Sequence, residues 1–168
     1  MNSSQMLITV GAMLLLSLVI LRVNNSFLST SDVLLNSKYN VVAISLAASM
    51  IEEANGKAFD HNTEASPVNN LASLTPSDSL GPESGEDRYT FNDFDDFNGF
   101  AILDTFVVDS LLLGVFNISC QVNYITAASP NTDAGTATWN KSLSVLVTSS
   151  SMTDTVSMST IYSYWNFR

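Results

Sequence analysis

The first 21 residues carry no charge and are almost continuously apolar, and this run restricts the possible folds more than any other part of the chain. Within Met6–Leu21 a threonine, a glycine and a serine interrupt the run, and the first charged residue is Arg22. As a helix, residues 1–21 would extend roughly 31 Å, about the thickness of the hydrocarbon layer of a bilayer. A helix that is apolar on every side needs lipid or other apolar helices around it.

A cleavable secretion signal explains this run poorly. Such a signal has a basic region before its apolar segment and a site with small residues after it. Here residues 2–5 are uncharged, and a leucine, an arginine and a valine follow the run at positions 21–23. We therefore expect a permanent segment. It is either a single-pass membrane anchor with a helical stalk or a part that joins one copy of the protein to another.

After Arg22 the apolar residues become periodic, which predicts an amphipathic helix that continues to about Asn55 and stops at Gly56. The periodic positions are Leu28, Leu35, Tyr39, Val42, Leu46 and Met50. We expect residues 1–26 to form the apolar half and residues 27–55 to pack on a globular head formed by residues 56–168. Because Asn and Ser are poor helix formers, a bend or a melted segment is predicted at Val23–Ser26.

The charge of the chain is strongly negative and unevenly distributed. The net charge of −10 comes from 16 acidic and 6 basic residues, and most of the acids lie between Glu52 and Asp109. A negative surface repels nucleic acid, so no nucleic-acid partner is expected. The single cysteine, Cys120, excludes an internal disulfide, and the single histidine, His61, leaves hydrolase triads and histidine-rich zinc sites incomplete. We expect no enzymatic activity.

The segment 57–98 is rich in Ser, Asn, Pro, Gly and acidic residues, which predicts a long acidic surface loop. Its last part, within RYTFNDFDDFNGF, alternates phenylalanines with Asp93, Asp95 and Asp96. These three carboxylates are candidate calcium ligands, although the spacing does not fit an EF-hand. The alternative is a turn closed by an Asn-Gly pair at 98–99, whose phenylalanines hold a solvated acidic loop against the head. No other cofactor is expected.

Three later segments alternate in polarity as strands do, at residues 116–124, 143–147 and 156–162. Turn-rich stretches separate them, which favours an antiparallel meander within residues 100–168. The buried face of that sheet needs a cover, and the periodic half of the helix provides one. The predicted fold class is therefore α+β, with a long N-terminal helical stem packed on a C-terminal antiparallel sheet.

The chain resembles a type IV pilin or a pilin-like protein of the MSHA or pseudopilin type. The likeness rests on the leading helix, on the stretch DFDDFNGF and on the closing segment TWNKSLSVLVTSSSMTDTVSMSTIYSYW. It implies a helical filament at the cell surface, with the leading helix in the inner membrane before pilus assembly machinery extracts it. Two positions depart from the family pattern. Gln5 stands where pilins carry a glutamate, and the usual proline of the stem is absent.

The resemblance implies that Met1 is the processed end and that residues of the first half helix mediate assembly. An amide at Gln5 cannot neutralise the terminal amine of a neighbouring copy, so we expect weaker electrostatic docking. The expected assembly residues are Met1, Gln5, Met6, Leu7, Ile8, Val10, Leu14, Leu15, Leu18 and Leu21.

The sequence thus predicts a structural subunit of an extracellular type IV pilus-like filament, a homopolymer without catalytic residues. Two alternatives stay open. One is a membrane-anchored extracytoplasmic binding module that depends on calcium. The other is a minor pilin or a pseudopilin of a secretion system, which would share the fold.

Overall fold

The protein is described by a computed structural model that covers residues 2–108 and 111–164. It divides into two compact units, Met1–Lys38 and Tyr39–Arg168. One helix, α1, runs from Ser3 to Asn55 and contributes to both. The first unit consists of helix alone, whereas the second combines the end of α1 with a β-sheet and the segments that connect them.

Residues 23–26 are helical, so the predicted melted segment in α1 is wrong. Asn and Ser each cost only a fraction of a kcal/mol relative to Ala, roughly 0.7 at most, and neither Gly nor Pro occurs in this stretch. Helix propagation adds a backbone hydrogen bond for each residue, which is enough to carry the helix through a weak segment. Side-chain hydroxyls also bond within the helix, since Thr30 Oγ1 donates to the carbonyl of Ser26 at 2.9 Å.

In the second unit the end of α1 packs against the sheet through a face of small residues. Ala43, Ala47 and Ala54 are fully buried, and larger side chains beside them are partly buried against the same core. These larger residues are Tyr39, Val42, Leu46, Met50 and Ile51. Alanine at the centre of the contact lets the helix axis approach the sheet closely.

The predicted apolar stripe is confirmed only from Tyr39 onward. Its first two members lie in the other unit and are exposed, Leu28 at 66% and Leu35 at 47%. Regular spacing of apolar residues therefore continues along the helix beyond the part that covers the sheet. The periodicity identified the face but not the length of helix that is buried within the chain.

The sheet has five antiparallel strands: β1 (Ala101–Val108), β2 (Leu111–Thr126), β3 (Ser129–Asp133), β4 (Asn140–Ser149) and β5 (Val156–Ser163). The spatial order is β1-β2-β4-β5, and β3 pairs with the end of β2. The α+β class, with a long helix packed on an antiparallel sheet, is confirmed. The three predicted strands correspond to β2, β4 and β5. The short strand β3 lies in the segment AASPNTDAGTAT. Because this segment is rich in turn-forming residues, the sequence predicted only a connection there.

The inward face of the sheet forms one core with the end of α1 and the connecting segments. Alternate residues of β2 are buried, and so are alternate residues of β4. On β2 these are Phe116, Ile118, Cys120, Val122 and Tyr124, and on β4 they are Lys141, Leu143, Val145 and Val147. A lysine thus occupies a core position at the start of β4.

Candidate functional site

Two features of the described chain differ from an ordinary folded domain. The first is the apolar half of α1, which is not buried by any of the described residues. Leu7 is 73% exposed, Ile8 71% and Leu14 62%, and the 18-residue window of highest hydropathy contains no buried residue. By length and composition α1 could cross a membrane, and among the described residues it is the only helix that meets this test.

The expected assembly residues lie together on this segment, with the exception of Met1, which falls outside the described residues. Gln5 lies in the first turn of α1 and is exposed. The apolar members are all exposed; they are Met6, Leu7, Ile8, Val10, Leu14, Leu15, Leu18 and Leu21. Contiguous apolar surface of this extent marks a site of contact with lipid or with other protein chains.

The second feature is a buried acidic cluster in the head, and it overturns the predicted solvated loop. Asp93, Asp95 and Asp96 are all 0% exposed. The phenylalanines at 91, 94 and 97 are buried as well. Because they alternate with the aspartates, burial of their rings also places the backbone between them, and its carboxylates, in the interior. The predicted turn is confirmed, since Gly99 has a φ of +73° that favours glycine.

Backbone hydrogen bonds compensate part of this burial. Asp93 Oδ1 accepts from the N–H groups of Asp95 at 2.8 Å and Asp96 at 3.2 Å. Asp96 Oδ2 accepts from those of Asn92 at 2.7 Å and Asp93 at 3.0 Å. Asp93 therefore binds the first N–H groups of the short 3₁₀ turn Asp95–Phe97, and Asp96 connects this turn to the two residues Asn92 and Asp93.

Asp95 faces the buried lysine of β4. Lys141 Nζ donates to the carbonyl of Phe59 at 2.9 Å, to Asp60 Oδ2 at 2.9 Å and to Asp95 Oδ1. An ammonium has three donors, and here all three have acceptors. Burial alone would raise the pKa of Asp60, but the charge of Lys141 and hydrogen bonds from Lys141, Thr75 and Asn62 hold it below its ordinary value.

A second group of carboxylates adjoins Asp93 and Asp96. Oxygen atoms of Glu83, Glu86 and Asp96 lie within 4.8 Å of one another, and ligand atoms of His61, Glu83 and Asp93 form a second set within the same limit. Asn92 Nδ2 donates to Glu86 Oε1 at 2.7 Å, and the Glu83 N–H donates to Glu86 Oε2 at 3.2 Å.

Several oxygens of this group lack a hydrogen-bond donor. They are Glu83 Oε2, Asn92 Oδ1, Asp93 Oδ2, Asp95 Oδ2 and Asp96 Oδ1. Burial and the neighbouring Asp95 carboxylate raise the pKa of Asp93 to about 9. Burial and a hydrogen bond with Glu86 raise that of Glu83 to about 7. Lys141 and His61 offset these increases only in part, so the two carboxylates resist ionisation.

The structure therefore divides the three predicted ligands. Asp96 lies close to Glu83 and Glu86, and Asp93 lies close to Glu83. Asp95 instead pairs with Lys141. The sequence interpretation missed both glutamates, because nothing in a long loop indicates which of its acids fold back toward Asp96. It also missed Lys141, although the alternation of β4 places this residue on the same face as Leu143, Val145 and Val147.

Comparison of this chain with protein-family models, with curated proteins and with solved structures gave no match. Its function must therefore be inferred from the sequence and from the two features described above.

Proposed function

We propose that this chain is a structural subunit of an extracellular type IV pilus-like filament, in which residues 3–26 pack against the same segment of other copies. The observation that carries the proposal is the unpartnered helix: Met6–Leu21 is apolar on every side and exposed along its whole length. A folded head attached to such a segment can exist in a bilayer or in an assembly. The resemblance noted from the sequence favours the assembly as its final state.

The energetics explain how one segment could serve in both places. Burying about 16 mostly apolar side chains at roughly 1.5 kcal/mol each gives a driving force in the tens of kcal/mol relative to water. A bilayer already supplies most of this, so transfer from lipid into a helical bundle gains little from the hydrophobic effect. The subunit would therefore wait in the inner membrane and need assembly machinery to extract it. The finished fibre would resist dissociation in water.

Packing between helices would then supply the specificity of assembly. Because Gln5 is an amide, the charge pairing that a glutamate offers to a neighbouring terminal amine is missing at this position. The contribution of shape complementarity among leucine, isoleucine and methionine side chains would be correspondingly larger. The acidic head would face solvent around the fibre, on the outside of the cell.

Electron microscopy of material sheared from the cell surface tests this proposal. We expect thin fibres that react with antibody against residues 39–164. If the chain stays in the membrane fraction and no fibres carry it, the filament proposal is wrong and the anchored binding module is favoured. The number of copies per fibre then separates a major subunit from a minor pilin or a pseudopilin.

A further inference from the structure

We infer that Glu83, Glu86, Asp93 and Asp96 form a site for a divalent cation, with calcium as the best fit. These four residues are called the Glu83 site below. The inference does not depend on the proposed filament, because the site lies entirely within the head and would bind its ion in an isolated subunit.

The spacing of the carboxylates suits a single ion. Calcium–oxygen distances are about 2.3–2.6 Å, so two ligands of one ion lie within about 5 Å of each other. The oxygens of Glu83, Glu86 and Asp96 lie within 4.8 Å of one another, and Glu83 also lies within that distance of Asp93. The two sets share Glu83, so the four carboxylates adjoin one another around that residue, and Glu83, Glu86 and Asp96 form the set that can contact one ion together.

Oxygens without donors provide an independent observation. Asp93 and Asp96 are 0% exposed, yet among the described residues Asp93 Oδ2 and Asp96 Oδ1 have no hydrogen-bond partner, and neither has Oε2 of the partly buried Glu83. In contrast, the other oxygen of each aspartate accepts two backbone hydrogen bonds. One side of each carboxylate is thus fixed by the chain, and the remaining side is left for a ligand that accepts electron pairs.

The nearby basic side chains are committed elsewhere. Lys141 is saturated by Asp60, Asp95 and a carbonyl, and Arg88 pairs with Glu53. Lys57 Nζ donates to the carbonyl of Phe91 at 2.7 Å. In the described part of the chain, the charge of Lys141 lowers the pKa of Asp93 without offsetting its burial, and His61 brings a potential positive charge with Nδ1 3.7 Å from Glu83 Oε1. A buried carboxylate without a counter-charge is strongly unfavourable, and a bound cation removes that penalty.

The chemistry of the ligands selects the type of ion. Carboxylate oxygens suit hard cations, and the partly exposed glutamates leave room for water in the remaining positions. Magnesium requires a near-ideal octahedron at shorter distances, whereas calcium tolerates an irregular set of ligands. Zinc would use the nitrogen of His61 together with Glu83 and Asp93, and the experiment below separates this possibility from calcium.

Thermal unfolding of the full chain in detergent micelles, with and without added metal chloride, tests the site. At a calcium concentration of about 100 Kd we expect Tm to rise by about 10 °C, with a smaller rise for magnesium. The calcium-free baseline is obtained with chelator, and sodium chloride at equal ionic strength controls for general screening of the acidic head.

Glu83→Gln and Glu86→Gln are the informative variants, because both side chains are only partly buried and glutamine preserves their shape. We expect each to abolish most of the calcium-dependent rise. In the calcium-free chain Glu83→Gln should leave Tm unchanged or slightly higher, since repulsion among the carboxylates decreases, whereas Glu86→Gln should lower Tm slightly because an amide keeps only one of the two hydrogen bonds that the Glu86 oxygens accept. Glu64→Gln removes the same charge from an exposed position in the same loop and should keep the full rise.

Four outcomes would overturn the inference. The first is the absence of any calcium-dependent rise in the wild-type chain, and the second is an equal rise with sodium chloride. The third is a rise that persists unchanged in both glutamine variants, because the glutamates would then have only a structural role. The fourth is a response to zinc alone that His61→Ala removes. None of these outcomes bears on the filament, whose test uses sheared fibres.

Discussion

The leading half of α1 and the acidic part of the head violate opposite rules of protein folding. One exposes leucines and isoleucines along the whole of Met6–Leu21, and the other buries aspartates at 0% exposure. In each region the groups are left without the environment that would stabilise them. The comparison shows that an unsatisfied region indicates the chemistry of what is missing: apolar neighbours for the helix and positive charge for the carboxylates.

The two regions also differ in how much the chain itself compensates. In the acidic cluster Lys141 pairs with Asp95 and also with Asp60 beside it, so the chain itself compensates one of the three buried aspartates at 93, 95 and 96. The apolar helix receives no such compensation in the described residues from 3 to 38. Four predictions test this difference between the two regions and the packing of the head, in order of decreasing expected effect.

Lys141→Met should remove the internal compensation of the acidic cluster. Breaking a buried pair by removing one partner leaves uncompensated buried charge and typically costs about 3–5 kcal/mol of unfolding free energy. Chemical denaturation of the full chain in micelles measures it, and Lys38→Met, at an exposed position, should stay within about 0.5 kcal/mol of wild type. A loss below about 1 kcal/mol for Lys141→Met would show that the ammonium does not hold the cluster together.

Leu14→Ala should weaken the filament without affecting membrane insertion. In a helical bundle the shorter side chain leaves a cavity worth roughly 2–3 kcal/mol, whereas lipid chains fill the same space at little cost. We expect the chain to shift from sheared fibres to the membrane fraction, as measured by quantitative immunoblotting. Leu14→Met conserves volume and should assemble normally. An unchanged distribution for Leu14→Ala would favour the solitary membrane anchor.

Cys120 should be protected from alkylation in the folded head. Burial raises the pKa of its thiol to about 11 from 9.0, which lowers the thiolate fraction about a hundredfold at pH 8. Labelling with iodoacetamide, followed by mass spectrometry, should therefore be at least about a hundredfold slower in the native chain than in denaturant. Rapid native labelling would mean that the sheet opens at β2 far more readily than its packing indicates.

Glu53→Gln should have the smallest effect, because this ion pair is partly open to solvent. The hydrogen bond from Arg88 lowers the pKa of Glu53, and burial opposes this only in part. A lowered pKa contributes stability above about pH 4.5, and this contribution is lost as pH falls below the ordinary pKa of glutamate. We expect a loss under about 1 kcal/mol at pH 7 and a smaller loss near pH 3.

Denaturation curves at the two pH values check this, with exposed Glu52→Gln as the control. An equal loss at both pH values would show that the glutamine acts through packing and not through charge.

The sequence predicted those elements whose signal is local. The alternation in β2, β4 and β5 and the periodicity from Tyr39 to Met50 reflect burial of one face, so pattern alone identified them. The predicted melted segment at Val23–Ser26 was wrong because propensity was weighed residue by residue, whereas a helix forms cooperatively. The strand β3 was missed because its Ser, Pro and Asn residues also favour turns.

The candidate site was less accessible to sequence reasoning because its partners are distant along the chain. Lys141 and Asp60 are 81 residues apart, and Lys141 and Asp95 are 46 apart. An acidic stretch ordinarily indicates solvent exposure, and here that expectation failed because three phenylalanines at 91, 94 and 97 share the same short stretch. Composition showed which chemical groups were present, but only tertiary packing decided which of them became buried.

Two hydroxyls inside the apolar half of α1 bear on how a subunit would move from the membrane into the proposed filament. Thr9 Oγ1 donates to the carbonyl of Met6 at 2.9 Å, and Ser17 Oγ donates to that of Met13 at 2.9 Å. The acceptor of each hydroxyl lies on the same helix. If α1 moves from a bilayer into a bundle of identical helices, these two hydrogen bonds would not break, and the hydroxyls would need no partner on another chain. In the proposed filament these two hydroxyls would therefore add little to the cost of transfer from the membrane, and they would require no particular rotation of the helix about its axis.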